Sequence, residues 1–383
     1  MVPSLRLALL LITLSGVTSC ALRGPARVAP VSVPAAFEVV GAAMLPETRI
    51  GDMSTVIAEL SGAWYDPDRR ELLTVIDRRD QSAIIAMDLR VEPQVTLTPV
   101  RAVRVERALA QRTMDLEGIA RAPGGNVFIS SEGETGNPDA PSPGVFEYTR
   151  DGRFVRQLPI PAAYLGLRSN LGFEGLTAAP DGSRVFAAAE GSLRQDGAPA
   201  TTAQGALTRI LSLDPTGLTR PREYAYRTEP VPLLREGANV KGDNGVPEVL
   251  ALGPADLLVL ERAYVEEEGT GGRSANAIRI FHVRLDAASE VSGRWSLAEE
   301  PAVVPLKKTL VLDLATLAPR LPPRLANLEN FEAMSFGPPL ADGRRTLLLL
   351  SDNNCSDTQV SALVVLAFTE ERRAAGPVRT QPH

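Results

Sequence analysis

Acidic residues recur in this chain at a spacing that brings them together. The stretch DLEGIARAPGGNVFISSEGE, Asp115 to Glu134, carries acids at both ends of what reads as a tight hairpin. Four more stretches share its grammar: LSGAWYDPDRRELLTVIDRRD, GFEGLTAAPDGSRVFAAAEGS, GVPEVLALGPADLLVLERAY and NFEAMSFGPPLADGRRTLLLLSDNN. Aligned on Ser61, Glu117, Glu174, Glu248 and Glu332, each has a trailing acid 13 to 20 positions later: Asp77, Glu132, Glu190, Glu261 and Asp352. A strand of about five residues, a turn and an antiparallel return bring the chain back to the edge it left. Both members of a pair therefore share one end of their hairpin, and five such ends predict a ring of carboxylates.

Clustered carboxylates repel and resist ionisation unless cations compensate them. Arg78, Arg79, Arg262 and Lys241 could do so from the protein, and so could a metal. An oxygen-only set with Asn244, Asn353 and Asn354 as neighbours suits Ca²⁺ or Mg²⁺ rather than zinc. A plainer alternative is that each acid caps backbone N–H groups at a strand end.

Other chemistries lack their parts. The chain has two histidines, His282 and His383, so neither a Ser-His-Asp triad nor a histidine metal cluster can be assembled. His282 sits in the strand-like RIFHVRL and reads as structural, and no Walker loop, G-x-S-x-G elbow, H-E-x-x-H helix or G-x-G-x-x-G fingerprint occurs. Cys355 has no basic partner in sequence and reads as a structural thiol. Net charge is −6 with no basic run, which argues against nucleic acid as a partner. Trp64, Tyr65 and Tyr264 read as packing residues with a ligand pocket as the alternative, and VEEEG at 265–269 reads as a solvated loop.

The elements that must hold the ring are short strands. Each unit returns through an apolar run (ELLTVID, NVFISSE, RVFAAAE, DLLVLE, TLLLLSD), and strand-like pieces such as SAIIAMDLR, ALTRILSLD and AIRIFHVRL lie between. Four short strands per unit describe a propeller blade. The units start 56, 57, 74 and 84 residues apart, the wider intervals holding GSLRQDGAPATTAQGA and RAYVEEEGTGGRSANA. The expected fold is an all-β propeller over 37–370 with five clear blades. AFEVVGAAML could found a sixth, and SALVVLAF could close the ring across the chain ends.

The first twenty residues, MVPSLRLALLLITLSGVTSC, read as a secretory signal whose apolar run is too short to span a bilayer. Val17 to Cys20 is similar to a bacterial lipobox, making Cys20 the expected lipidation site, with ordinary cleavage nearby as the alternative. Residues 21–36 read as a tether and 371–383 as a tail. Ala21 after the cysteine implies, by that resemblance, the periplasmic side of the outer membrane in a Gram-negative source.

Together, DLEGIA with FISSEGE, GFEGLTAAPDGSRVFAAAEG and NFEAMSFG with LLLLSDNN resemble the phytase-like esterase family, described by the "esterase-like activity of phytase", over roughly residues 40 to 370. The resemblance implies a propeller with Ca²⁺ and a phosphorylated small-molecule substrate. Departures are Ser61-Gly62 in the first unit and Glu248-Val249 in the fourth. Site roles follow as expectations: Glu117, Glu174 and Glu332 catalytic; Asp77, Glu132, Glu190, Glu248, Glu261 and Asp352 metal ligands; Arg78, Arg262 and Lys241 substrate clamps. A monomer attached to the membrane only through its lipid is expected. The rival readings are a non-enzymatic scaffold with a structural ion and a lactonase-like hydrolase.

Overall fold

The structure is a computed structural model that describes residues 31–45, 50, 57–79, 81–108, 114–133, 143–269, 273–286, 289–298, 302–354, 356 and 358–370. Five four-stranded antiparallel sheets form the blades of a propeller. The chain begins in β1 (Pro34–Met44) and then builds the first blade from β2 (Leu60–Asp66), β3 (Glu71–Ile76), β4 (Ala83–Arg90) and β5 (Thr96–Arg104). The second holds β6 (Leu116–Arg121), β7 (Val127–Ser131), β8 (Gly144–Tyr148) and β9 (Phe154–Gln157). The third holds β10 (Phe173–Ala178), β11 (Val185–Ala189), β12 (Leu207–Leu213) and β13 (Arg222–Arg227). The fourth holds β14 (Val240–Ala251), β15 (Asp256–Glu267), β16 (Ser274–Arg284) and β17 (Lys308–Asp313). The fifth has β18 (Asn330–Phe336), β19 (Arg345–Asp352) and β20 (Ala362–Glu370), with β1 added as its outer strand.

Apolar runs become strands here because the blades stack face to face. The second strands are buried along nearly their whole length, on both faces, so they read as continuous rather than alternating hydrophobic stretches. The core accordingly lies between blades. Phe128 packs with Phe173, Phe186 with Val249, Leu260 with Phe331, Leu350 with Leu60, and Val75 with Ile129, one apolar cluster for each of the five contacts around the ring. Ring closure is covalently discontinuous: β1 pairs with β20 from Pro34↔Glu370 to Met44↔Ala362. AFEVVGAAML thus founds no sixth blade. It completes the fifth, because the final strand offers a free edge that only the chain's start can cover.

One expectation about the ends changes. Residues 31–36, expected in the tether, are packed: Val31 is buried and donates its backbone N–H to Leu252 O at 2.7 Å, and Pro34 opens β1. Cys20, the rest of 1–30, Cys355 and the tail 371–383 lie outside the described residues.

All five inner strands carry a β-bulge, between Ser61/Trp64, Leu116/Ile119, Phe173/Leu176, Gly245/Glu248 and Phe331/Ala333. A bulge breaks the alternation and re-aims a side chain, here towards the channel axis. The strands crowd there. A Cβ at Gly118 would lie 2.6 Å from Glu174 O, and one at Gly62, whose φ is +60°, 2.4 Å from Glu117 O. Glycine is required by both the space and, at Gly62, the backbone conformation.

A chain starting at Leu45 would leave the edge of β20 bare. We expect such a truncation to lower the melting temperature and to associate with rising concentration in light scattering, while the full chain stays at one size.

Candidate functional site

Inner strands run outward from one mouth of the channel, and the acids gather at their N-terminal ends. Glu117, Glu174 and Glu332 lie within the bulges of β6, β10 and β18. Asp77, Glu132, Glu190 and Asp352 arrive at the ends of β3, β7, β11 and β19. The N–H groups of Asp77, Glu132 and Glu190 donate to Glu59 O, Asp115 O and Gly172 O, and Asp352 pairs with Asn330. Each hairpin therefore returns its trailing acid beside its leading one. The result is a cavity of about 560 Å³ bounded by ten carboxylates (Glu59, Asp77, Asp115, Glu117, Glu132, Glu174, Glu190, Asp243, Glu332, Asp352), three guanidiniums (Arg78, Arg79, Arg262), Asn170 and Asn354.

Three guanidiniums cannot neutralise ten carboxylates. Arg262 reaches from β15 across the mouth, donating from one Nη2 to Glu190 Oε1 and to Glu332 Oε1, each at 3.0 Å. Arg79 grips Asp115 through Nε at 3.0 Å and Nη2 at 2.8 Å, and Arg78 faces Glu59 at 3.4 Å. Every arginine is already engaged by an acid. The remaining negative charge holds protons: burial, then the Asp115 and Asp352 charges, raises Asp77 to about 9. Burial with its neighbours likewise raises Glu190 and Asp352 to about 8 and Glu132 to about 7, the last restrained by the Gly172 N–H. Glu117 and Glu174 lie well above the carboxylate range, driven first by burial and then, for Glu117, by the charge of Glu174 and, for Glu174, by that of Glu190. Desolvation opposes the charge of Arg262, yet Glu190 and Glu332 hold its guanidinium above the ordinary range.

Two triads of carboxylate oxygens, Asp77-Asp115-Glu117 and Glu117-Glu132-Glu174, each lie within 4.8 Å of one another, so Glu117 belongs to both. Asp352, 3% exposed and lining the same cavity, has an Oδ1 with no hydrogen-bond partner. An all-oxygen donor set with protonated or orphaned carboxylates fits a hard divalent cation.

The fourth blade departs from the expected ring. Its bulge falls two residues earlier relative to the motif than those of the second and third blades, so Glu248 is already back in the ladder opposite Leu260 and turns into the channel wall. There its Oε1 accepts from Leu176 N and Val249 N, and it is a staple between blades rather than a ligand of the mouth. Glu261 is also removed from the mouth: it accepts from Tyr226 Oη at 2.6 Å, Lys308 Nζ at 2.6 Å, Glu229 N at 2.8 Å and Asn244 Nδ2 at 3.0 Å, tying the fourth blade to the third. The next residue along the strand points the other way, so Arg262 enters the mouth in its place. Lys241 is no clamp. It is exposed on the far part of β14 and paired with Glu266 at 3.3 Å. Ser61 contributes no acid, as its side chain dictates, and the first blade brings Asp77 and, just before β2, Glu59.

Among the asparagines, Asn354 lines the mouth, Asn353 accepts from Glu59 N at 3.0 Å through Oδ1, and Asn244 braces Glu261. His282 faces Asp256 at 3.2 Å on a strand, a structural role as expected. Asp115, Glu59 and Asp243 are members that the pairing rule misses. Asp115 and Glu59 were readable from the period of two, since they precede Glu117 and Ser61 by two residues, whereas nothing local marks Asp243.

The raised carboxyls fix the sign of the pH dependence. The folded protein binds more protons than the unfolded chain between about pH 4 and the folded values near 7 to 9, so stability must fall as pH rises through that window. In EDTA we expect the melting temperature to drop from pH 5 to pH 9, and Asp77→Asn with Glu132→Gln to flatten the slope; thermal unfolding monitored by circular dichroism checks both.

Comparisons with known proteins bear on the family. The chain matches endo-arabinase from Bacteroides thetaiotaomicron at 9% identity over 83% of this chain and 96% of that one, with a TM-score of 0.43. It matches the PQQ-bound aldose sugar dehydrogenase of Streptomyces coelicolor at 11% identity over 88% and 100%, TM-score 0.37, and Coprinopsis cinerea GH62 α-L-arabinofuranosidase at 12% over 89% and 98%, TM-score 0.38. Likeness at this level says nothing of chemistry. No curated protein matches. The family model described as phytase-like, esterase-like activity of phytase, covers residues 55–355, which include every acid of the mouth, and the chain belongs to that family.

Proposed function

We propose that the chain is an extracytoplasmic, metal-dependent hydrolase that holds Ca²⁺ at the acidic mouth and cleaves a phosphoester there. The observation that carries this reading is the pair of carboxylate triads sharing Glu117 at an open cavity whose acids exceed its cations. Asp77, Asp115, Glu117, Glu132 and Glu174 would hold the ion, and Asp352 Oδ1 offers a further donor. When bound, Ca²⁺ supplies neutralisation and polarisation of a phosphoryl oxygen. Because Arg78, Arg79 and Arg262, the guanidiniums lining the mouth among the described residues, are engaged by acids, none of them is spare as a phosphate clamp, which supports recognition of the anion through the metal. Glu332, oriented through Oε1 by Arg262, is placed to take the proton of an attacking water. Attachment of the protein to the cell envelope through lipidated Cys20 remains part of this reading.

One observation favours the rival scaffold reading: Arg262 already ties Glu190 to Glu332, so the protein supplies part of its own compensation. The two separate experimentally. A ligand bound only by the folded state stabilises it by RT ln(1 + [L]/Kd), about 2.7 kcal/mol at a hundredfold excess over Kd. Graded Ca²⁺ after EDTA should raise the melting temperature of the wild type and of Lys241→Ala, and leave Glu117→Gln unmoved. In a screen of phosphomonoesters and diesters, Glu332→Gln should keep the Ca²⁺ shift but lose at least a hundredfold in kcat. A Ca²⁺ shift with no turnover of any ester would leave the ion structural and the protein a scaffold.

A further inference from the structure

The channel has a second mouth, at the C-terminal ends of the inner strands, and its chemistry is the reverse of the first. A cavity of about 410 Å³ opens there, to which all five inner strands contribute. Its wall is mainly apolar, with Trp64, Ile119, Leu176 and Met334 at corresponding heights of four blades. Between the mouths the strands are pressed together at Gly62 and Gly118, and the side chain of Glu248 fills the wall, so the two cavities are separate. A volume in the range of about 300–1,000 Å³, walled by apolar and aromatic groups with a few polar ones, is what small-molecule sites have.

Charge at this rim is cationic. Arg150, with a side chain 10% exposed, is held by Asp66 through Nη2 and by Glu71 through Nη1, lies 5.2 Å over the Trp64 ring, and leaves its buried Nε without an acceptor. Arg69 and Arg121 are exposed at the same rim and make no ion pair among the described residues. Of the rim acids, Asp66 is consumed by Arg150 and by the N–H of Asp68, which leaves Asp68 as the one carboxylate without an ion pair at this rim among the described residues. An unmet buried N–H, two unpaired guanidiniums and an apolar well beside them specify a ligand with an anionic acceptor at one end and hydrocarbon at the other.

We propose that this far mouth binds a small apolar carboxylate, its body among Trp64, Ile119, Leu176 and Met334 and its head taken by Arg150 with Arg69 and Arg121. A cation would be drawn to the opposite mouth, which repels such an anion, so each end of the channel selects its own class of ligand. The site needs nothing from the acidic mouth and stands whatever that mouth does.

Trp64 reports on the site directly. The chain has two tryptophans, so Trp295→Phe leaves Trp64 as the only tryptophan, which red-edge excitation selects over the tyrosines. In EDTA, which keeps calcium from precipitating the acid, this protein is titrated with decanoate, decanol and decyltrimethylammonium. We expect a saturable change of Trp64 emission with decanoate at least tenfold tighter than with decanol, and none with the cation. Arg69→Ala with Arg121→Ala, both at exposed positions, should erase the preference for decanoate. Ala178→Phe, which fills the half-buried edge of the cavity, should abolish binding in a chain whose circular dichroism melt stays cooperative. Equal affinity for acid and alcohol, preference for the cation, no saturable change, or undiminished binding in Ala178→Phe would each overturn the proposal.

Discussion

The close approach of five inner strands around one axis is the constraint on which the rest of this structure depends. Backbone meets backbone there, so Gly62 and Gly118 sit where a single added carbon would overlap a neighbouring carbonyl. Such crowding leaves no room for a regular ladder. Each inner strand bulges, and the bulge turns Glu117, Glu174 and Glu332 out of the sheet's alternation towards the mouth. What holds the strands at this distance is remote from the mouth: five apolar clusters between blades, and the pairing of β1 with β20 that closes the ring.

A consequence of that geometry is a concentration of like charge that folding alone does not favour. Carboxyls raised to about 7 to 9 mean that the metal-free mouth is held together in part by protons. Arg262 is the principal cation supplied from within, spanning two blades through one nitrogen. A fold optimised only for stability would dilute such a cluster, so its persistence fits a binding role better than a capping one. The opposite mouth has the complementary character, apolar within and basic at the rim. One channel thus carries two ends of opposite polarity on a shared set of strands.

Much of the fold was legible because propeller blades write a simple code. Apolar returning runs, turn residues and a recurring acid identify five hairpins, and the face-to-face burial of second strands explains why those runs are continuous. Most of the ring followed from the same code, since an antiparallel return must bring the trailing acid home. Glu248 and Glu261 did not, because the fourth bulge falls two residues earlier in the motif and returns Glu248 to the ladder, and no local signal records where a bulge falls. AFEVVGAAML was readable as a strand but not as the outer strand of the last blade, because its partner lies more than three hundred residues away in sequence.

The sequence by itself determined which groups are on offer: an all-β repeat with acids at hairpin ends and two histidines supplies carboxylates and lacks the parts of a Ser-His-Asp triad or a histidine metal cluster. Tertiary structure alone decided which carboxylates meet. Asp243 joins the mouth, Glu261 is bound away by Tyr226 and Lys308, Arg262 stands where an acid was expected, and Trp64 packs against an interblade cluster while also lining a second cavity. Strand periodicity is a local property fixed by the backbone, whereas the distance between side chains on different blades depends on bulge position and ring closure, which no single stretch of chain contains.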